Sequence, residues 1–183
     1  INQSTFTDLL TLLTSHPQRF PLTSSAGRLF DAVGVLLGLG PAASFEGQHA
    51  IALEALAARA GPAQPWPFEI DESSRPLRLR LGPMIEALLG ERARGVEVPV
   101  LAANFHATLA AMILAVIDQL REETPAFPVA LSGGCFQNGA LLRQVVGGLR
   151  ARGLEPLHHR RVPPNDGGIA LGQAVVAAQR LAM

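Results

Sequence analysis

Two glycine-rich turns carry the strongest chemical signal in this 183-residue sequence. The first is Leu131-Ser132-Gly133-Gly134, followed by Asn138, where a short apolar strand should give way to a helix. Glycines without β-carbons let the backbone approach a ligand closely, and the amides at a helix start attract anions such as phosphate. Asn138 is placed to offer a side-chain amide to the same ligand. A plain tight turn accounts for paired glycines about as well, because such pairs are common at strand ends. The second turn is Pro163-Pro164-Asn165-Asp166-Gly167-Gly168, again after a strand and before a helix. Asp166 reads as a helix cap, the commoner role for a carboxylate there, or as a ligand for a hard cation such as magnesium, which also binds phosphate. Strand, glycine turn and helix repeated within about 35 residues would bring both turns to one sheet edge.

A third group is Ser24-Ser25-Ala26-Gly27-Arg28-Leu29-Phe30-Asp31. Gly27 and Asp31 lie four apart and share a helix face, so a ligand could pass close to Gly27 while the carboxylate accepts hydrogen bonds from ribose hydroxyls. The alternative is an exposed Arg28–Asp31 ion pair, with Gly27 serving close helix packing. Glu46 and Gln48 open the next helix, where an acid is often only a partner for the helix dipole. The remaining candidates are weaker. Adjacent His158 and His159 point to opposite faces of a strand and so do not chelate one ion. His106 sits in an apolar helix and reads as a hydrogen-bonded buried histidine. His16 and His49 have no telling spacing. Cys135 reads as a small buried hydrophobe.

The elements that must position these residues follow from pattern. A short helix or capped turn over Leu9–Leu13 ends at Ser15-His16-Pro17. Hydroxyls at 23–25 cap a helix through Leu29, Phe30, Val33, Leu36 and Leu37, stopped by Gly38–Pro41. Ser44 or Glu46 opens a helix through Ile51, Leu53, Leu56 and Ala60, closed by Gly61-Pro62. After a Pro-rich break at 63–67, Phe68–Ile70 and the alternating Leu77, Leu79 and Leu81 predict two antiparallel strands, the second half buried. Gly82-Pro83 begins a helix to about Leu89, and Pro99 begins a long one through Leu101, Phe105, Leu109, Met112, Ile113, Val116 and Leu120. From Pro128 the order is strand (Val129–Leu131), helix (Leu141–Leu149), strand (Leu154–His158), helix (Ile169–Leu181), which is α/β organisation.

Composition bounds the rest. A chain of 183 residues that is 48% hydrophobic can bury one core, so residues 1–183 are expected to form a single domain. Fifteen basic and fifteen acidic residues cancel, which gives no overall field to gather nucleic acid or an anionic membrane. All the basic residues are arginines, and without lysine there is no P-loop lysine and no Schiff base. The single cysteine forms no internal disulfide, which points to a reducing, cytoplasmic compartment. No signal peptide or membrane span is read from the sequence, and a start at Ile1 suggests a processed product or a fragment.

Taken together, Leu131–Asn138, His159–Gly168 and Leu171-Gly172-Gln173 closely resemble the end of the HypF carbamoyltransferases, and Ser24–Asp31 and Phe45–Gln48 resemble that family as well. The resemblance implies the second lobe of a domain similar to the universal tRNA threonylcarbamoyl transferase. Its fold would be α/β, helix-rich with a mixed sheet, one lobe of a two-lobed nucleotide-binding fold of the actin and sugar-kinase type. It implies ATP between the lobes and a divalent metal, magnesium, zinc or iron, on Asp166. Ser132, Gly133, Gly134, Asn138 and Asn165 would run along the phosphates, Gly27 and Asp31 would hold the nucleoside, and Glu46 would be a weaker member of the set. The implied reaction makes carbamoyl-adenylate from carbamoyl phosphate and ATP. The carbamoyl group then passes to the terminal cysteine of a HypE-type acceptor protein, on the way to the cyanide ligands of nickel-iron hydrogenase. The family's paired metal-binding histidines have no counterpart before Asp166. The chain is therefore expected to need the remaining domains of the same polypeptide, to be inactive alone, and to self-associate through the face that meets its partner lobe. Related readings are carbamoyl transfer to an antibiotic hydroxyl, threonylcarbamoyl transfer to tRNA, or a non-catalytic interaction lobe.

Overall fold

A computed structural model describes residues 3–73, 75–124 and 127–182. Helix α1 (Gln3–Ser15) leads through a short turn at Pro17–Arg19 to α2 (Ala26–Leu36). The Ser25 hydroxyl caps α2 by accepting from the Arg28 amide at 3.4 Å, as the hydroxyl run predicts. Helix α3 (Gln48–Ala57) starts later than either Ser44 or Glu46. Gly47 precedes it in the left-handed region, and Gln48 Oε1 accepts from the Ser44 amide at 2.6 Å and its hydroxyl at 2.9 Å. The glutamine thus fixes the loop in place of a capping box.

Strands β1 (Glu69–Asp71) and β2 (Arg78–Arg80) pair antiparallel, with Glu69 opposite Arg80 and Asp71 opposite Arg78. The alternation of Leu77, Leu79 and Leu81 predicts a buried face, but all three residues of β2 are exposed, Leu79 at 38%. The ribbon is held by its ladder and by the Arg80–Asp71 ion pair at 2.6 Å, with no core beneath it. Helix α4 (Gly82–Ala93) runs past Leu89 because Gly90 does not stop it. Its end comes at Gly95, φ +80°, where the Gly95 and Val96 amides close back onto Arg92 and Glu91 carbonyls.

Helix α5 (Val98–Glu123) is the axis of the domain, with α3, α4 and α6 packed on it and α2 on α3. By length and composition α5 could cross a membrane, yet 67% of its most apolar window is buried inside the protein. It also buries Asn104, His106 and Thr108, each with partners. Asn104 Oδ1 accepts from the Gln64 amide at 2.9 Å, and Thr108 Oγ1 accepts from the Trp66 amide at 2.8 Å. These two side chains pin the Pro-rich break onto the helix and bring Trp66 into the core.

Strands β3 (Ala130–Leu131) and β4 (Leu157–His158) pair parallel, Ala130 with Leu157 and Leu131 with His158. Helix α6 (Gly139–Ala151) connects them, and α7 (Ile169–Leu181) follows β4. The expected mixed sheet is not formed. Among the described residues there are two separate two-stranded sheets, one antiparallel and one parallel, because α4 and α5 separate the ribbon from strands only two residues long.

Candidate functional site

Parallel pairing puts the carboxyl ends of β3 and β4 on the same edge, so the turns that follow leave from one place. A hydrogen bond from the Gly133 amide to the Pro164 carbonyl, 2.9 Å, ties the two turns together. Gly133 has φ +99°, a backbone setting that a side chain would strain. Beyond it, Gly134–Gln137 forms a short 3-10 turn, in which the Gly134 and Cys135 amides make no backbone hydrogen bond among the described residues.

These turns form one wall of a cleft of about 660 Å³, within the size range of small-molecule sites. Gly134, Cys135, Gln137, Asn138, Asn165 and Asp166 line this wall. The cap and first two turns of α2 face it with Ser25, Gly27, Arg28 and Asp31, and α3 with the loop before it adds Glu46, Gly47, Ala50, Ile51 and Glu54. Phe30 forms the floor and stacks edge-on against Phe105 at 5.0 Å and His106 at 5.6 Å.

Seven of the residues singled out from sequence therefore meet in one cleft: Gly27, Asp31, Glu46, Gly134, Asn138, Asn165 and Asp166. Gly27 is not a packing glycine. A β-carbon there would meet only Ser25 Oγ, at 3.5 Å, so the open side faces the cleft. Asp31 takes the Arg28 guanidinium at 3.0 Å, as the spacing of three allows, and also touches the buried ring of His49 at 3.2 Å. Glu46 is exposed on the rim.

Three of the expected ligand contacts already hold partners within the chain. Ser132 and Gly133 are exposed and are not among the residues lining the cleft. The Ser132 hydroxyl is paired with His159 Nε2 at 2.9 Å, and the Gly133 amide donates to the Pro164 carbonyl. Asn138 borders the cleft, but its amide is not free for phosphate. Its Oδ1 caps α6 by accepting from the Leu141 amide at 2.9 Å, and its Nδ2 lies 2.9 Å from His106 Nε2. His106 Nδ1 faces the Ala102 carbonyl at 2.7 Å, which only an N–H can satisfy. The ring is then neutral, with Nε2 accepting from Asn138, and burial holds its pKa below the ordinary 6.5. In the second turn, Asn165 Oδ1 accepts from the Gly167 amide at 3.1 Å, which leaves its NH2 for a ligand.

Sequence reasoning missed Glu54 and Ile51. Glu54 Oε1 accepts from the Ala140 amide at 3.2 Å, bridging α3 to the start of α6. Its only signal was an acid inside an otherwise apolar helix. Ile51, read from sequence only as an apolar residue of its helix, is 59% exposed and forms an apolar patch on the cleft wall. Burial raises the Cys135 thiol above its ordinary pKa, consistent with the inert role expected of it.

Asp166 is the metal candidate, and among the described residues no three His, Cys, Asp or Glu side chains gather to hold an ion. One carboxylate fits a magnesium-type ion, which binds through one or two carboxylates plus phosphate oxygens. A zinc or iron centre would need its other protein ligands from outside these residues.

An α/β unit whose parallel strand pair delivers two glycine turns to one cleft is the class of fold seen here. Residues 2–173 match the family model described as carbamoyltransferase, Kae1-like domain, second subdomain, and the chain belongs to the HypF carbamoyltransferase family. It is 38% identical to carbamoyltransferase HypF of Synechocystis sp., with 87% of this chain and 20% of that protein aligned. With carbamoyltransferase HypF of Rhodobacter capsulatus the identity is 42%, over 95% of this chain and 22% of that protein. The fold superposes on full-length HypF solved in its phosphate- and nucleotide-bound form with a TM-score of 0.86 and 33% identity, covering 99% of this chain and 24% of that one. T. kodakarensis HypF shares the fold, with a TM-score of 0.75 at 23% identity over 96% of this chain and 23% of that one. The chain spans about a fifth of the length of these two curated relatives.

Proposed function

We propose that this chain is the nucleotide-facing second lobe of a carbamoyltransferase with a two-lobed, actin- and sugar-kinase-like nucleotide fold. The enzyme would make carbamoyl-adenylate from carbamoyl phosphate and ATP. It would then pass the carbamoyl group to the terminal cysteine of a HypE-type acceptor protein in hydrogenase maturation. The observation that carries this reading is the Gly133–Pro164 hydrogen bond, which joins the two turns and sets Gly134, Asn165 and Asp166 on one wall opposite Gly27 and Asp31. A relative of the same fold is nucleotide- and phosphate-bound.

Each residue has a task in this reading. Gly27 and Gly134 leave room for a ligand's backbone on facing walls. Asp31 accepts from ribose hydroxyls, and Ile51 offers an apolar surface to the base. The Gly134 and Cys135 amides donate to phosphate oxygens, with the Asn165 NH2 beside them. The cleft carries Asp31, Glu46, Glu54 and Asp166 against Arg28 alone, so a bare triphosphate is repelled. A divalent cation, when bound, would neutralise phosphate charge and polarise its oxygens, and Asp166 would hold it. The remaining domains of the same polypeptide would cover the open side of the cleft and supply the other metal ligands. We place the enzyme in the cytoplasm, where the thiol of Cys135 stays reduced.

Calorimetric titration with ATP tests the reading. Weak binding that requires magnesium and disappears in Asp166→Ala is expected, because the cover over the cleft and the other metal ligands would come from elsewhere. Tight binding without magnesium, or binding unchanged in Asp166→Ala, would overturn it.

A further inference from the structure

We infer that His49 is a positioning residue that sets the Asp31 carboxylate for ribose hydroxyls, with Gly34 making room for its ring. The inference rests on the nucleotide reading of the cleft.

His49 is buried at 2% exposure, on the face of α3 that packs against α2. Its Nδ1 lies 3.2 Å from Asp31 Oδ1, and its Nε2 lies 3.2 Å from the Gly40 carbonyl. Both partners are acceptors, so the Asp31 contact is a hydrogen bond only with a proton on Nδ1. The Gly40 carbonyl lies against the far nitrogen of the ring, and that contact becomes a hydrogen bond only where Nε2 also carries a proton. Packing between α2 and α3 holds the buried imidazole in place, and its Nδ1 proton is the strut to a carboxylate that lines the cleft.

Gly34 shows how closely the two helices approach to place this strut. A β-carbon on Gly34 would lie 2.7 Å from His49 Cβ and 2.8 Å from Cγ, inside any tolerable contact. The other hold on Asp31 is Arg28, whose side chain is 62% exposed; a solvated arginine on a long stem restrains weakly. His49 bonds to Oδ1 and Arg28 to Oδ2, so the pair fixes the plane of the carboxylate, and the buried member sets its position. With the plane fixed, the lone pairs not used by His49 and Arg28 turn toward the cleft, which Asp31 lines.

A structural role for His49 and a positioning role differ in one measurable respect. If His49 acts through Asp31, its loss matters only for ligands that have hydroxyls for Asp31 to accept. The 183-residue chain is titrated with magnesium-ATP and with magnesium-2′,3′-dideoxy-ATP, and the ratio of the two dissociation constants is read. Wild type should favour ATP by about three- to tenfold, the scale of one ordinary hydrogen bond. In His49→Leu the ratio should fall to near one. His49→Asn, which keeps an N–H near the Nδ1 position, should restore much of it. A ratio in His49→Leu equal to that of wild type overturns the inference and leaves the nucleotide reading standing. A wild-type ratio near one removes the role of Asp31 and overturns both. Ring nitrogen NMR of the wild-type protein is independent of any variant's folding: a protonated Nδ1 is expected for His49, and an unprotonated Nδ1 would overturn the strut.

Discussion

Removing the Asn138 side chain should expose how the site is built into the core. Asn138→Ala deletes two bonds: the cap on Leu141 at the start of α6 and the donation to His106 Nε2. Loss of an Asn cap costs about 1 kcal/mol. His106 is fully buried, so its orphaned acceptor costs about 1–3 kcal/mol more. The sum, about 3 kcal/mol, corresponds to a Tm lower by about 6–12 °C for a chain of this size. Asn138→Ser keeps a capping oxygen and loses only the reach to His106, so it should fall between wild type and Ala. Urea and thermal unfolding at pH 7.5 without nucleotide measure all three. An Ala variant within about 0.5 kcal/mol of wild type, in the range of ordinary surface changes, would refute the linkage. Equal losses in Ser and Ala would refute the cap.

His106 also makes stability depend on pH. Burial lowers its pKa below 6.5 in the folded chain, so the unfolded chain binds more protons as pH drops through that value. Its contribution is complete above pH 6.5 and declines as pH falls toward the lowered native value, by at most about 1.4 kcal/mol per pH unit. His106→Gln should show a shallower decline between pH 6.5 and 5, and an identical slope would refute the assignment. Helix α7 exposes Ile169, Leu171, Val175 and Val176, an apolar surface that matches the expected docking of further domains. Light scattering should detect self-association of the chain that Leu171→Glu with Val175→Glu reduces; a wild-type monomer at all concentrations would refute this.

Local pattern made much of this fold legible. The repeat of strand, glycine turn and helix after Pro128 predicts that two turns meet, and the Gly133–Pro164 bond is that meeting. Apolar periodicity located α5 and the core, and it identified His106 as a buried, hydrogen-bonded residue. What the pattern did not reveal depends on residues far apart in the chain. Asn138 reads as a phosphate donor until His106, 32 residues earlier, is found against its amide. Glu54 reaches Ala140 across 86 residues, and nothing in its neighbourhood announces it. His49 had no spacing to recommend it, since its partner Asp31 lies on another helix. Ile51 shows the limit of periodicity, which marks a stripe as apolar without saying which end of it faces the cleft. Leu79 fails for the related reason that alternation predicts a face and not the layer that should cover it.

The apolar length of α5 also bears on how the chain is made. Elements leave the ribosome in order, so α2, α3 and α4 are already present when α5 emerges, and they can shield one flank of it at once. Its other flank waits for α6, which is translated later. A helix of that hydropathy stays out of solvent only once both flanks are covered, so the order of the chain makes α6 the element that completes its burial.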